Sequence, residues 1–369
     1  MAGPIVADFT RSVPPVPDEL GVALSASLRQ LAADPGLDLL VRTTVPGGDP
    51  ADRAAAASWL ARRMPEPDPS RVVLTNGTQS SLLLVLRHLT HPGDLVLAEG
   101  LTYGVIGDLA EQARVRLRAV AIDDDGMVPD ALDEACRDTR PTLIYCNPTH
   151  HNPTTSIMSE RRRADIAAVA RRHGVPIFED DVLGALHPDG PPPLATLAPE
   201  LTWYSMGLTK ALTHGLRVGY LLGPDTQAVR RLLDPVARLS HWAASPLSAD
   251  VVRRWVGGGQ AAAIAAAIRR ESAARQRLAR DLLTGYSFRS QDTSLHLWLR
   301  VPPGRSSQEF GATAAGRGVL VRPAELFAVG GYPAPPRVRL SLSTPLDRAD
   351  VRRGLEVLAA MRDEPPLPA

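Results

Sequence analysis

Short runs of apolar, β-forming residues alternate with helical runs along the first two thirds of the sequence, and this alternation narrows the possible folds most. Seven such runs predict strands, at Val72–Leu74, Leu95–Ala98, Val115–Ile122, Thr142–Cys146, Val175–Glu179, Thr202–Ser205 and Val218–Leu222. Helical runs lie between many of them, at Ser80–Leu89, Pro129–Cys136 and Ser159–His173. Apolar strands separated by helices indicate an α/β fold with a doubly wound, mainly parallel sheet. Ligands of such sheets bind at the carboxyl ends of the strands.

A change of pattern near residue 275 predicts a second, smaller domain. A long Ala- and Arg-rich helical stretch over Gln260–Leu283 comes first. Beyond it, an α+β pattern has strand-like runs and helices at Leu295–Val301, Ser307–Arg317, Val319–Arg322, Arg337–Ser343 and Asp347–Met361. We therefore predict an N-terminal segment (residues 1–45) that packs with the small domain, a large domain (46–275) and a small C-terminal domain (276–369).

Composition and charge exclude several classes of protein. The 369 residues are 44% hydrophobic, enough for a large core. A net charge of +1, with both signs interspersed, gives no footprint for nucleic acid or an acidic membrane. The sequence shows neither a leader pattern nor an 18-residue apolar stretch, which predicts a cytoplasmic location. Cys136 and Cys146 lack metal spacing and are expected to be buried, reduced thiols.

Lys210 is the only lysine among 41 Lys and Arg positions. Both residue types carry a positive charge, but arginine stays protonated, whereas an amine can lose its proton and attack a carbonyl carbon. A compositional drift toward arginine would also leave one surface lysine behind by chance. The neighbours of Lys210 decide between these interpretations.

The residues around Lys210 form a loop between two predicted strands. The segment from Tyr204 to Tyr220 has the sequence YSMGLTKALTHGLRVGY. It resembles the S-x-S-K…GLRxGY stretch of fold type I pyridoxal-phosphate (PLP) enzymes, specifically the class I/II aminotransferases and the aminotransferase-like half of MocR-type GntR regulators. The resemblance implies that Lys210 holds the cofactor aldehyde as an internal aldimine and that Arg217 binds the cofactor phosphate.

A glycine-containing turn follows the first predicted strand. Gly77, Thr78 and Gln79 open a helix, and the N–H groups at a helix N-terminus favour a phosphate. Many helices begin in this way without a ligand, so the turn alone is a weak signal. Beside Lys210 it resembles the family's phosphate-binding turn, and the resemblance also places Thr209 in the cofactor site.

Asp180 directly follows the fifth predicted strand, where the resemblance places the carboxylate that pairs with the pyridine nitrogen. That pair keeps the nitrogen protonated and makes the ring an electron sink for a carbanion at Cα. A metal site or an exposed acidic loop is the alternative for the acidic run 179–181. No His or Cys stands near that run at ligand spacing, and the adjacent His150 and His151 lack a third ligand. We therefore predict no metal.

Three further residues are assigned by the resemblance. Asn152 matches the Asn of the family's NPTG turn, which donates a hydrogen bond to the phenolic oxygen of the cofactor. Tyr103 matches the aromatic residue that stacks on the cofactor ring. Arg339 matches the small-domain arginine that binds the substrate α-carboxylate, and its planar guanidinium suits both oxygens of a carboxylate. Arg337 competes for this role because it lies two residues away on the same face of the strand.

The sequence also departs from the family's pattern at several positions. They are Val182 and Leu183 in place of a Tyr that contacts the phenolic oxygen, Gly207 in place of a phosphate-binding Ser, Thr155 in place of the Gly of NPTG, His214 in place of a Pro, and Thr43 or Thr44 in place of a Tyr that reaches into the neighbouring subunit.

The sequence thus predicts a PLP-dependent aminotransferase with Lys210 and Asp180 as catalytic residues. The expected substrates are α-amino acids and 2-oxo acids, and the expected assembly is a homodimer without nucleic acid or membrane partners. One alternative is other PLP chemistry, such as elimination, replacement or oxidation of a specialised amino acid. Another is a non-catalytic PLP-binding effector module. We expect it less, because the few residues before Val6 are too short for a winged helix.

Overall fold

The computed structural model describes residues 5–42 and 44–363. The strands in these ranges are β1 (Ala7–Asp8), β2 (Val72–Thr75), β3 (Leu95–Glu99), β4 (Arg116–Val120), β5 (Ile122–Asp123), β6 (Gly126–Met127), β7 (Leu143–Cys146), β8 (Ile177–Asp180), β9 (Thr202–Gly207), β10 (Gly219–Leu222), β11 (Phe288–Ser290), β12 (His296–Arg300), β13 (Val319–Leu320), β14 (Arg322–Pro323) and β15 (Arg337–Ser341). The α-helices are α1 (Asp18–Ala32), α2 (Leu37–Arg42), α3 (Pro50–Leu60), α4 (Thr78–Leu89), α5 (Val105–Ala113), α6 (Pro129–Thr139), α7 (Glu160–His173), α8 (Leu194–Leu197), α9 (Thr226–Leu233), α10 (Pro246–Gly257), α11 (Gln260–Leu282), α12 (Ser307–Gly316) and α13 (Arg348–Ala360). Short 3-10 helices occupy Pro69–Arg71, Gly184–Leu186, Asp234–Val236 and Ala324–Phe327.

A seven-stranded sheet forms the centre of the large domain, with the strand order β2-β10-β9-β8-β7-β3-β4. All its strands run parallel except β10, which is antiparallel to both β2 and β9. The central strands β7 to β10 are buried along their whole length, which explains the nearly continuous apolar runs that predict them. Each of the seven predicted strands is present in this sheet, so the predicted α/β class is confirmed.

Helices cover both faces of this sheet, because successive residues of a strand point to opposite sides. In β10, Tyr220 packs in one apolar cluster with side chains of α3, α10 and α11. The next residue, Leu221, packs in a different cluster with side chains of α4, α5 and α9. The sheet is therefore doubly wound, as predicted.

Local chemistry sets the ends of these elements. The Ser159 hydroxyl accepts a hydrogen bond from the Arg162 N–H at the start of α7, and Gly174 ends that helix in the left-handed conformation with φ 64°. Strand β8 begins at Ile177, two residues later than predicted. The reason is that the Val175 N–H donates to the Ala170 carbonyl in closing α7, while Pro176 has no N–H to give to the sheet.

A four-stranded sheet with the order β11-β12-β15-β14 forms the small domain. Strand β1 pairs in parallel with β13, and Phe9 is fully buried in the small-domain core. Helix α1 instead buries Leu20 and Leu31 in a core shared with α3 and α10. The first part of the chain therefore contacts both domains, and the boundaries at residues 45 and 275 stay predictions.

Two smaller expectations concern the thiols and apolar helices. Cys136 and Cys146 are buried and free, as predicted. None of the helices in the described part of the chain has the length and apolar character needed to cross a membrane.

Candidate active site

A cavity of about 320 Å³ lies at the carboxyl ends of the central strands, with small-domain residues on its other side. Every residue that the sequence predicted for the site lines this cavity: Gly77, Thr78, Gln79, Tyr103, Asn152, Asp180, Thr209, Lys210, Arg217 and Arg339. The parallel register explains the gathering, because β7, β8 and β9 end side by side and Asp180 is paired with Ser205.

One end of the cavity is built to attract an anion. Gly77 has φ 85° and precedes α4, whose first N–H groups are capped by no side chain. The Arg217 guanidinium lies beside this turn and donates from Nη2 to the Asn76 carbonyl at 3.2 Å. A Cβ on Gly219 would lie 2.8 Å from the Gly77 Cα, so only glycine lets β10 approach the turn this closely. The uncapped helix terminus and the guanidinium together suit a phosphate.

Asp180 has one carboxylate oxygen bound and one unpaired. Its Oδ2 accepts a hydrogen bond of 2.8 Å from the Tyr145 hydroxyl, and the residue is only 5% exposed. Its Oδ1 is buried and has no hydrogen-bond partner among the residues described. Burial raises the pKa of the Asp180 carboxyl to about 6. A buried, unpaired carboxylate oxygen is costly, and a cationic N–H donor in the cavity would offset that cost.

The acids on either side of Asp180 are held inside the protein. Glu179 accepts from the N–H groups of Leu194 and Ala195 at 2.9 Å. Asp181 pairs with Arg63 at 3.3 Å and accepts from the Tyr204 hydroxyl, so the run is no exposed loop. Within the described ranges, no group of three or more His, Cys, Asp and Glu side chains could hold a metal ion.

Lys210 enters the cavity from the loop after β9. Its Nζ donates to the carbonyl oxygen of Ser12, a residue of the N-terminal segment. Burial and the nearby Arg339 lower the pKa of the Lys210 amine to about 8, against the opposing effect of Asp180. A larger fraction of this amine is therefore neutral near pH 8 than of an exposed lysine.

Arg339 lies on the opposite wall with no acidic partner in the described part of the chain. Its Nη1 donates to the Asn152 Oδ1 at 2.8 Å and its Nη2 donates to the Thr10 carbonyl, while its Nε has no partner there. Burial, and next the charge of Arg322, lowers the pKa of the Arg339 guanidinium to about 9. The competing Arg337 does not line the cavity and donates to the Trp298 carbonyl instead.

Two predicted cofactor residues contact each other directly. The Gln79 side chain donates from Nε2 to the Tyr103 hydroxyl at 2.9 Å. This contact joins the start of α4 to the loop after β3 and orients the Tyr103 ring within the cavity.

The departures from the family's pattern have visible surroundings. A Cβ on Gly207 would lie 2.9 Å from the Thr78 Cγ2 and 3.0 Å from the Val182 Cγ2, so a serine there requires movement of both neighbours. Thr155 has φ 64°, the left-handed backbone that glycine adopts more easily. Val182, Leu183 and His214 all line the cavity. Thr43 lies outside the described residues, and Thr44 lines a separate cavity with Leu39 and Ala243.

Sequence reasoning missed several residues of the site. The additional lining residues include Thr10, Arg11, Ser12, Asn147, His296, Arg322 and Phe327. Asn147 shares the turn of Asn152 and was detectable there, since its Oδ1 accepts from the Asn152 N–H at 2.9 Å. Arg322 interrupts an apolar run, which is a weak signal. Nothing in the local sequence of residues 10 to 12 indicates their position.

This architecture is that of fold type I PLP-dependent transferases. The family model for aminotransferase class I and II matches residues 40–358, and the chain belongs to this family. The cofactor of the family is pyridoxal 5′-phosphate. The residues of the cavity fit this cofactor. The uncapped helix terminus and Arg217 suit its phosphate, and the unpaired Asp180 oxygen suits its ring nitrogen.

The relatives are of two kinds. The chain is 28% identical over 84% of its length to the uncharacterized HTH-type transcriptional regulator YdeF of Bacillus subtilis, covering 67% of that protein. It is 24% identical over 74% of its length to aromatic-amino-acid aminotransferase 1 of Thermococcus litoralis, covering 69% of it. The chain spans 60 to 67% of the length of three such Bacillus subtilis regulators.

A solved structure of an archaeal alanine:glyoxylate aminotransferase has the same fold. It superimposes with a TM-score of 0.86 and 23% identity, over 97% of this chain and 90% of that one. At this level of identity the likeness establishes the fold.

Proposed function

We propose that this protein is a PLP-dependent aminotransferase of α-amino acids and 2-oxo acids. The observation that carries the proposal is the meeting, in one cavity, of the only lysine with an unpaired buried carboxylate oxygen and an anion-binding helix terminus. Each is a contact that the cofactor requires, and they come from three different strand ends.

The large-domain wall would hold the cofactor. The N–H groups of Thr78 and Gln79, the Thr209 hydroxyl and the Arg217 guanidinium would bind its phosphate, since all four residues line the cavity. Asp180, oriented by the Tyr145 hydroxyl, would keep the ring nitrogen protonated. When bound, the cofactor supplies an electron sink for negative charge that develops at the substrate Cα.

Lys210 would attach the cofactor, and its amine, released when the substrate amine takes its place, would then move the proton. A neutral amine is needed both for covalent attachment to the aldehyde and for removal of the Cα proton, and the lowered pKa of Lys210 favours that form. The same amine would deliver the proton to C4′ of the cofactor. Transamination needs this transfer between two atoms on one face, which a single flexible side chain can perform.

The small-domain wall would bind the substrate. Arg339 is buried, lies in the cavity and has no acidic partner in the described ranges, as a site for an α-carboxylate requires. Its hydrogen bond to Asn152 helps to orient the guanidinium, and Asn152 would in turn contact the cofactor. This one hydrogen bond would then couple the substrate and cofactor contacts.

The test uses the single lysine. Purified protein should carry PLP with a visible absorbance band, and borohydride should fix one pyridoxyl group on Lys210, as read by peptide mass spectrometry. A screen of amino acids should then convert the band to that of pyridoxamine phosphate. Protein that gains no such mass after loading with PLP would refute the proposal. Release of ammonia, or consumption of oxygen, without pyridoxamine phosphate would indicate elimination or oxidation instead.

A second candidate function is ligand sensing without turnover. It is favoured by the relatives named as HTH-type regulators and by Val182 and Leu183 in place of the usual phenol. In that case amino acids would shift the absorbance band reversibly and leave no 2-oxo acid. Chromatographic detection of the oxo acid separates the two functions.

We further propose a cytoplasmic homodimer. The support is a set of exposed apolar side chains on α2, shortly after α2, before α10 and in its first turn: Leu39, Val41, Val45, Leu239 and Leu247. Free, buried cysteines are consistent with a reducing compartment. Light scattering should give twice the monomer mass, and Val41→Glu should lower it. A monomeric wild-type protein would overturn this assembly.

A further inference from the structure

The cavity contains more positive charge than the proposed reaction uses. Its cationic lining residues are Arg11, Lys210, Arg217, Arg322 and Arg339, and its carboxylates are Asp108 and Asp180. Cofactor binding and the α-carboxylate account for Lys210, Arg217, Arg339 and Asp180. Arg322 and Arg11 are left over, and of these Arg11 is exposed whereas Arg322 is half-buried.

Arg322 stands directly opposite Arg339 across two paired strands. The two residues are partners in the β14–β15 register, so their side chains emerge on the same face of the small sheet. Like charges at directly opposite positions of a sheet destabilise it. In the described ranges the Arg322 side chain forms no hydrogen bond or ion pair, either with Asp108 or with another residue.

This pair of arginines therefore suits two carboxylates on one molecule. An α-carboxylate bound at Arg339 places the substrate side chain elsewhere along the same wall, where Arg322, Leu326 and Phe327 line the cavity. The Phe327 ring centroid lies 5.1 Å from the Arg339 guanidinium carbon, so an apolar surface adjoins the carboxylate site. Aliphatic carbons of a substrate can pack there while its terminal carboxylate reaches Arg322.

We propose, resting on the proposed function, that Arg322 binds the side-chain carboxylate of the substrate and that the substrates are 2-aminodicarboxylic acids and their 2-oxo acids. A guanidinium binds a carboxylate through two parallel hydrogen bonds, which discriminates strongly against a neutral amide. The bound dicarboxylate also neutralises the like-charge pair, so the free energy of binding includes relief of that repulsion.

The experiment compares two substrates of equal size, glutamate and glutamine, in single-turnover conversion of the cofactor band. Wild-type protein should convert glutamate at least tenfold more efficiently, and Arg322→Ala should lose about 10- to 100-fold on glutamate with little change on glutamine. Arg337→Ala is the matched control, since that arginine lies on the same small sheet outside the cavity. It should keep the preference.

A binding measurement separates this inference from the proposed function. Calorimetry should show that glutarate, which cannot react, binds the PLP-loaded protein more tightly than valerate, and that Arg322→Ala removes the difference while Arg322→Lys retains part of it. Equal conversion of glutamate and glutamine by wild-type protein would overturn the acidic substrate class and leave the aminotransferase proposal standing. A preference for lysine over glutamate would assign the role to Asp108 and equally overturn it. Absence of covalent PLP on Lys210 would overturn both proposals.

Discussion

The two walls of the cavity treat their charged groups differently. On the large-domain wall, Asp180 is held by Tyr145, and Arg217 by the Asn76 carbonyl. On the small-domain wall, Arg339 has only neutral partners, and Arg322 has none in the described ranges. The first wall is ordered for a group that stays in place. The second presents cations to a molecule that comes and goes, and so the two walls should respond differently to mutation.

The largest effect is expected on the first wall, at Lys210. Replacement by alanine or arginine removes the only amine that can attach the cofactor and move the proton, so turnover should fall by at least about 10³-fold. The measurement is the rate of 2-oxo acid formation. Thermal unfolding should change little, which would show that the loss is chemical. Substantial activity in Lys210→Arg would show that the amine is not needed for catalysis, and the proposed difference between the two walls would be wrong.

The second effect concerns Asp180 and has opposite signs for activity and stability. Asp180→Asn should lower turnover by orders of magnitude, because an amide cannot keep the ring nitrogen protonated. Burial raises the pKa of Asp180 from 3.8 to about 6, so its ionisation costs stability as the pH rises between those values, by up to about 3 kcal/mol. Cofactor-free Asp180→Asn should therefore be more stable than the wild type at pH 7.5.

Its control is Asp181, which is paired with Arg63 inside the protein. Asp181→Asn leaves a buried guanidinium uncompensated and should destabilise the protein by about 3 kcal/mol. Urea unfolding of both cofactor-free variants at pH 7.5 and pH 4 measures these changes. The gain in Asp180→Asn should vanish at the lower pH. Destabilisation by both substitutions would mean that Asp180 is a structural acid like its neighbours.

The third effect tests the second wall. Arg339→Ala should lower kcat/KM for amino acids by a factor that corresponds to about 2 to 4 kcal/mol of lost transition-state stabilisation, because a bidentate carboxylate contact is lost. PLP should stay bound. Arg339→Lys should not restore it, since an ammonium cannot reproduce the planar pair of hydrogen bonds. Amines without a carboxylate should be handled equally by wild type and variant. Arg337→Ala serves as control, and a loss there instead would move the carboxylate site two residues along β15.

The smallest effect separates positioning from chemistry on the first wall. Tyr145→Phe removes the hydroxyl that donates to Asp180 and keeps the ring, which stacks on Phe178 with 6.0 Å between centroids. Turnover should fall about tenfold or somewhat more, as for loss of a hydrogen bond to a charged group. The lost donor should also raise the pKa of Asp180 and so shift the acidic limb of the pH–rate profile to higher pH. An unchanged profile would mean that Tyr145 does not orient Asp180.

The difference between the walls also explains what the sequence could reveal. The large-domain residues follow strands whose ends are brought together by parallel register, so position along the chain predicts position in space for Gly77, Asn152, Asp180 and Lys210. Their signals are also local, since a glycine before a helix or an acid after an apolar run is visible within a few residues.

The small-domain wall depends on contacts that no local pattern contains. Arg322 and Arg339 meet only because β14 pairs with β15, and Thr10 reaches Arg339 only because β1 adds to β13. Such pairings join residues far apart in the sequence. The resemblance found Arg339, whereas Arg322 and the N-terminal segment required the structure. The local sequence likewise does not reveal that Thr78 and Val182 leave too little space for a side chain at Gly207.

The solitary lysine has a practical consequence for chemical labelling. Activated esters and aldehydes modify lysine side chains, and in this protein the only such target is the half-buried Nζ that donates to the Ser12 carbonyl. A dye or biotin attached in this way therefore enters the cavity and leaves the side chains of the outer surface unmarked. Such reagents also react with the N-terminal amine, so the labelling of Lys210 itself, read on its peptide by mass spectrometry, reports whether the cavity is free or occupied.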